Sequence, residues 1–117
     1  MLPMKRFSLG KEERLLKPPE FKRVFHDGKS QSTEHFKVFF FSNRTNKQRL
    51  GITTSRKIGA AVKRNRIKRL LREFFRLHKT LLPPSSDILF VAKKGADTLD
   101  YSGLFEELEI LLKSNSP

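Results

Sequence analysis

Between Lys63 and Arg76 the chain reads Lys-Arg-Asn-Arg-Ile-Lys-Arg-Leu-Leu-Arg-Glu-Phe-Phe-Arg, seven cations and one acid in fourteen positions. Wound at about 100° per residue, this run puts Ile67, Leu70, Leu71 and Phe74 on one face and Asn65, Lys68, Arg69, Arg72 and Arg76 on the other. One face suits a core and the other suits an anion. Arginine grips phosphate oxygens bidentately, lysine adds a point charge, and asparagine donates and accepts at a sugar or base edge. An ordinary solvated helix would set acids one turn away from its cations, and only Glu73 is available here. The chemistry on offer is the binding of a polyanion, with RNA as the leading candidate.

Side-chain catalysis is poorly supplied. His26, His35 and His78 lack metal-ligand spacing, and His78 falls on the apolar face of the basic run, where a core or boundary role is ordinary. Glu106, Glu107 and Glu109 read as solvated surface on a C-terminal helix. No glycine-rich phosphate loop is visible. Cysteine is absent, which excludes disulfides, cysteine-based zinc sites and thiol catalysis.

The 117 residues read as one RNA-binding domain, long enough to bury a core, with 11 Phe to build it. A formal net charge of +13 is large for this size and implies a polyanionic partner. The charge is also segregated: His35 to Ser86 holds fourteen Lys or Arg against Glu73 alone, whereas Asp97, Asp100, Glu106, Glu107 and Glu109 face only Lys113 near the C-terminus. One basic face and a separate wall away from the partner follow. No apolar stretch suits a signal peptide or a membrane span, so the expected location is cytoplasmic.

The elements that must position the basic run can be read in order. Residues 1–16 carry mixed charge and are expected to form a loose arm. Pro18-Pro19 opens a helix over 18–27, with Phe21, Val24 and Phe25 on one face and Gly28 as its stop. Lys29 to Thr33 suggests a short edge strand, and Phe36 to Ser42 a stronger one. Period two assigns Phe36, Val38 and Phe40 to the core and Lys37, Phe39 and Phe41 to a wetter face. After the polar turn Asn43 to Gln48, Arg49 to Ser55 is expected to return as a hairpin partner. The basic helix then spans roughly 60–79, ending before Pro83-Pro84. Asp87 to Ala92 is an apolar strand, and Tyr101 to Lys113 an amphipathic helix burying Leu104, Leu108 and Leu111 or Leu112. The fold class is α+β, a mixed sheet with packed helices in the order αβββαβα. Phe21, Phe25 and Phe39 fit either a core or a platform for stacked single-stranded bases.

Arg64-Asn65-Arg66, set within the run from Gly59 to Glu73, resembles the signature of the bacterial ribonuclease P protein component. Arg14-Leu15-Leu16 followed by Phe21-Lys22-Arg23-Val24-Phe25 is similar to that family's opening. Leu50-Gly51-Ile52 before Ser55-Arg56-Lys57-Ile58-Gly59 resembles its third strand, and Asp87 to Lys94 its fourth. The resemblance implies a two-layer α/β sandwich with a four-stranded mixed sheet and a left-handed βαβ crossover, the ribosomal protein S5 domain 2-like fold, whereas the general expectation for a crossover is right-handed. It implies a protein subunit that binds a catalytic RNA and the 5′ leader of precursor tRNA. The RNA performs Mg²⁺-dependent hydrolysis, and the protein binds no cofactor of its own. By the same resemblance Lys63, Arg64, Asn65, Arg66, Lys68, Arg69 and Arg72 contact the ribonuclease P RNA. Phe21, Phe25 and Phe39 line the leader cleft as exposed rings, assisted by Arg56, Lys57, Lys93 and Lys94. The expected assembly is a monomer in a 1:1 complex with the RNA. Many relatives carry an aromatic hydroxyl at the position of Phe39, and some a basic residue at that of Ser55.

Other readings of the same face are a ribosomal or other structural RNA-binding protein, a DNA-binding module and a membrane-surface helix. Only the context of Arg64-Asn65-Arg66 separates the first from the resemblance. The second lacks a partner helix at helix-turn-helix spacing, and the third would need the apolar face that the core uses.

Overall fold

The structure, a computed structural model, describes residues 18–45 and 47–114. The expected N-terminal arm and the Arg14-Leu15-Leu16 match lie outside the described residues. Helix α1 (Pro18–Asp27) leads into strands β1 (Lys29–Ser32), β2 (Phe36–Ser42) and β3 (Arg49–Thr54), then helix α2 (Ala61–Leu77), strand β4 (Ser86–Ala92) and helix α3 (Tyr101–Ser114). The order is the expected αβββαβα. Short 3-10 turns at Arg56–Ile58, Lys79–Leu81 and Ala96–Thr98 fill the connections.

The sheet order is β1-β2-β4-β3, so β3 does not pair with β2 as the expected hairpin. Strand β4 lies between them, antiparallel to β2 and parallel to β3, and α2 makes the crossover. The physical reason is visible in β4 itself. Ile88, Leu89 and Phe90 are an unbroken apolar run buried on both faces, which suits a central strand and would be costly at an edge. β3 carries Arg49, Thr53 and Thr54 and takes the edge.

One sheet face carries Phe36, Val38, Leu50, Ile88, Phe90 and Ala92, and it packs against Ile67, Leu71, Phe74 and Phe75 of α2 and Leu104, Leu108, Leu111 and Leu112 of α3. Leu70, expected in the stripe, is half-buried at its margin, and Phe75 takes a full core position. The other face is covered in part by α1, where Val24 joins Phe39 and Leu89, with Phe21, Phe41 and Val91 around them. Gly28 permits the tight exit from α1: a Cβ there would come within 2.6 Å of the Val24 carbonyl oxygen and 2.9 Å of that of Phe40.

Two polar clusters tie the elements together. The Arg49 guanidinium donates to both oxygens of the buried Asp87 carboxylate, each at 2.8 Å, and reaches Glu20 of α1 with another nitrogen. This fastens α1 to the β3–β4 end of the sheet. At the other end Glu107 departs from its expected place on solvated surface. Its carboxylate accepts from the Thr33 hydroxyl at 2.5 Å, the His35 backbone N–H at 2.6 Å and His35 Nδ1 at 2.7 Å. The β1–β2 turn presents converging donors to α3, and this pairing, 72 residues apart in sequence, leaves no local pattern to read.

Candidate nucleic-acid interface

The basic helix α2 starts at the carboxyl ends of β3 and β4. Parallel pairing of Thr53 with Val91 and Thr54 with Ala92 brings Arg56 and Lys57, which follow β3, beside Lys93 and Lys94, which follow β4. The apolar stripe of α2 fixes its roll on the sheet and turns Lys63, Asn65, Arg69 and Arg72 to solvent, with Arg64, Arg66 and Lys68 half-exposed. All seven side chains expected to contact the catalytic RNA are therefore carried on the outward sides of one helix. Val62 is also exposed, at the start of that helix.

Several of these cations are held in place. Arg66 donates from Nη1 to the Asp97 carbonyl at 2.7 Å, and Lys63 Nζ stands 3.7 Å from the Asp97 carboxylate. The turn after β4 thus props the first turns of α2. Arg64 Nε is buried with no hydrogen-bond partner among the described residues, a donor whose desolvation an added acceptor would offset. Arg76, on the polar face by helical spacing, folds back onto Glu73 with bonds of 3.1 and 2.6 Å. The cations of α2 without an ion-pair partner among the described residues include Arg64, Lys68, Arg69 and Arg72.

The side chains expected to line a leader cleft are brought together only in part. α1 lies across the sheet face so that Phe25 is 46% exposed and Phe21 half-buried, but Phe39 is only 6% exposed. Phe39 is therefore not the exposed platform expected of it. Val24 and Leu89 enclose it, the Phe25 ring sits 4.8 Å away at 57°, and Lys37 Nζ lies 5.3 Å from its centroid. Period two placed Phe39 on the side away from α2 correctly. It could not show that α1 roofs that side. Of the assisting cations, Arg56, Lys57 and Lys94 are exposed, while Lys93 Nζ donates to the Thr33 carbonyl at 2.7 Å.

His78 closes α2 in the boundary role expected of it. Its ring lies 5.0 Å from that of Phe74 and 5.1 Å from that of Phe105, with the Tyr101 hydroxyl 3.4 Å from Nε2. Burial lowers its pKa. Among the described residues no group of three or more His, Cys, Asp or Glu could hold a metal ion, and no helix is long and apolar enough to cross a membrane.

A mixed sheet that displays a cation-rich helix at the carboxyl ends of two parallel strands, with an aromatic recess beside it, defines a protein of the RNA-binding class. The family model described as Ribonuclease P matches residues 9–115. The ribonuclease P protein component of Syntrophus aciditrophicus is 43% identical over 109 residues, covering 93% of this chain and 92% of that one. That of Citrifermentans bemidjiense is 50% identical over 99 residues, 84% of each chain. The RNase P protein structure from Thermotoga maritima superposes with a TM-score of 0.79 at 37% identity, covering 90% of this chain and 99% of that one. The Staphylococcus aureus RNase P protein gives 0.80 at 35%, covering 87% and 94%. The chain belongs to the ribonuclease P protein family and is a subunit of that ribonucleoprotein endoribonuclease.

Proposed function

We propose that this single RNA-binding domain acts as a monomer in a 1:1 cytoplasmic complex with ribonuclease P RNA and supports RNA-catalysed removal of the 5′ leader from precursor tRNA. The observation that carries the reading is the outward face of α2. Lys63, Arg64, Asn65, Arg66, Lys68, Arg69 and Arg72 stand together there, with Asp97 the one carboxylate in ion-pair range of them among the described residues. That face is assigned to the catalytic RNA. The recess beside α1 is assigned to the leader, with Phe25 and the margin of Phe21 as stacking surfaces and Arg56, Lys57 and Lys94 as phosphate contacts. Phe39 and Lys93 serve beneath it, one holding Phe25 in place and the other the Thr33 turn. The proposal gives Mg²⁺ and the hydrolytic step to the RNA, and gives the protein the work of binding and aligning substrate.

The test titrates Mg²⁺ in cleavage of a leader-bearing precursor tRNA by a bacterial ribonuclease P RNA, with and without the protein. A lowered Mg²⁺ requirement, with no cleavage by protein alone, is expected. Arg64→Ala or Arg69→Ala should weaken binding to the catalytic RNA and reduce the salt slope by about one per lost phosphate contact. RNA binding that leaves cleavage unchanged would overturn the assignment.

A further inference from the structure

Helix α1 divides its sheet face into two flanks, and only one of them belongs to the recess just described. On the other, at the far end of β2 and β4, lies an open groove of about 830 Å³ between α1, the β2–β3 turn and the segment before β4. Its lining includes Arg23, Lys29 and Arg44, all exposed and without an ion-pair partner among the described residues. Two acids also line it. Asp87 is occupied by Arg49 and by Asn43 Nδ2 at 2.8 Å, which leaves Asp27 against three cations. Phe41, half-buried, gives the groove an aromatic margin.

The groove is a formed one. Arg44 adopts φ 57° and Ser85 φ 52°, both in the left-handed region that non-glycine residues seldom enter. Asn43 holds that conformation: its backbone N–H donates to the Ser85 carbonyl at 2.9 Å, its side-chain oxygen accepts from the Thr45 N–H at 2.9 Å, and its amide donates to the Lys47 carbonyl at 3.0 Å. The turn thus presents Arg44 at a fixed place on the rim.

We propose that this groove is a second single-strand site that takes the phosphodiester backbone of the leader after it has passed over α1. The inference rests on the leader reading above. A concave, cationic groove with an aromatic margin suits a single strand, whereas a duplex presents a convex surface that a groove of this kind does not receive. The route between the two flanks is also basic, because Lys22 and Arg23 are exposed on α1. The groove lies about 20 Å from the carboxyl end of β4, the length of a seven-residue strand, so it is separate from the α2 face.

The experiment compares holoenzymes carrying the wild-type protein, the Arg23→Gln/Arg44→Gln double variant or Phe25→Ala, on precursor tRNAs with a leader too short to round α1 or long enough to reach the groove. The double variant should bind the long-leader substrate about tenfold more weakly, with the salt slope reduced by about 1.4 for two single-strand contacts, and should bind the short-leader substrate and the catalytic RNA as wild type does. Equal losses on both leaders, a loss of catalytic-RNA binding, or no loss at all would each overturn the groove. If Phe25→Ala weakens leader binding and the double variant does not, the groove assignment fails alone. If neither variant weakens binding of either precursor relative to the wild-type protein, the leader reading fails with it.

Discussion

Phe25 and Phe39 are in contact, yet removal of each ring should have opposite consequences. Phe39 is 6% exposed, so truncation to alanine opens a cavity among Val24, Leu89 and the Phe25 ring and should cost about 3–5 kcal/mol of folding stability. With roughly 4 °C lost per kcal/mol in a domain near this size, the melting temperature should fall by about 12–20 °C. Phe25 is 46% exposed, so the same truncation removes about half of that burial, and its cost should be ~1–2 kcal/mol. What Phe25→Ala should lose is a stacking surface worth ~1–3 kcal/mol toward an unpaired base. Thermal melting of the two variants, together with binding of leader-bearing and mature tRNA to the reconstituted holoenzymes, separates these effects. The expected pattern for Phe25→Ala is a melt lowered by only about 4–8 °C with selective loss of precursor binding. For Phe39→Ala a deep loss of stability is expected, and Phe39→Leu should recover much of it because a large apolar side chain refills the space. A Phe39→Ala protein that melts like wild type but discriminates poorly against mature tRNA would refute the burial argument and restore Phe39 as a stacking platform.

Glu107 should make stability depend on acid. Burial alone pushes its carboxyl up, but hydrogen bonds from Thr33 and from the His35 ring and backbone, with the His35 charge, outweigh burial and leave the pKa below its ordinary value. A carboxylate depressed in the folded state stabilises above its unfolded pKa of about 4.3 and loses that contribution as pH falls through the lower folded value. Glu107→Gln should therefore melt lower at neutral pH, by the equivalent of ~1–3 kcal/mol, and converge on wild type as the pH falls through the depressed folded value; a gap that persists in strong acid would show that shape rather than charge is responsible. Arg49→Met leaves the buried Asp87 carboxylate with Asn43 but no cation and should cost roughly 3 kcal/mol, measured by urea unfolding. The loss should shrink in Arg49→Met/Asp87→Leu, and a double variant less stable than the single would count against the pairing argument.

The parts legible in the sequence are those whose causes are local. The cations of α2, Pro18-Pro19 at the start of α1 and Gly28 at its end each depend on neighbours within a turn, and each stands in the structure as read; the stripe of α2 shifts from Leu70 toward Phe75, and in β2 the expected sides hold while Phe40 is only partly buried and Phe39 fully so. Strand partnership is a global choice. Ile88-Leu89-Phe90 held the signal, because a run apolar on both faces belongs between two strands, and that signal outranks the short connection from β2 to β3. Glu107 lies off the solvated surface expected for it, and Phe39, which the residues left open between core and platform, is enclosed, both for one reason. Their environments are made by α3 meeting the β1–β2 turn and by α1 folding over β2, and no spacing within either segment reports such a meeting.

The same distinction separates the two halves of the candidate site. The α2 face is one helix, so helical geometry alone groups Asn65, Lys68, Arg69 and Arg72, while Lys63, Arg64 and Arg66 join them through the family resemblance. The recess proposed for the leader is assembled from α1, the sheet and the ends of β3 and β4, and its membership is decided by packing. Phe39 is drawn under α1, and Lys93 is drawn onto the Thr33 carbonyl. Residues on a single amphipathic element can thus be grouped on one face before the fold is known. Residues gathered from several elements must first be divided between those that hold the site and those that face it. Phe25 and Phe39, 4.8 Å apart and on opposite sides of that division, show that proximity to the site does not settle the matter.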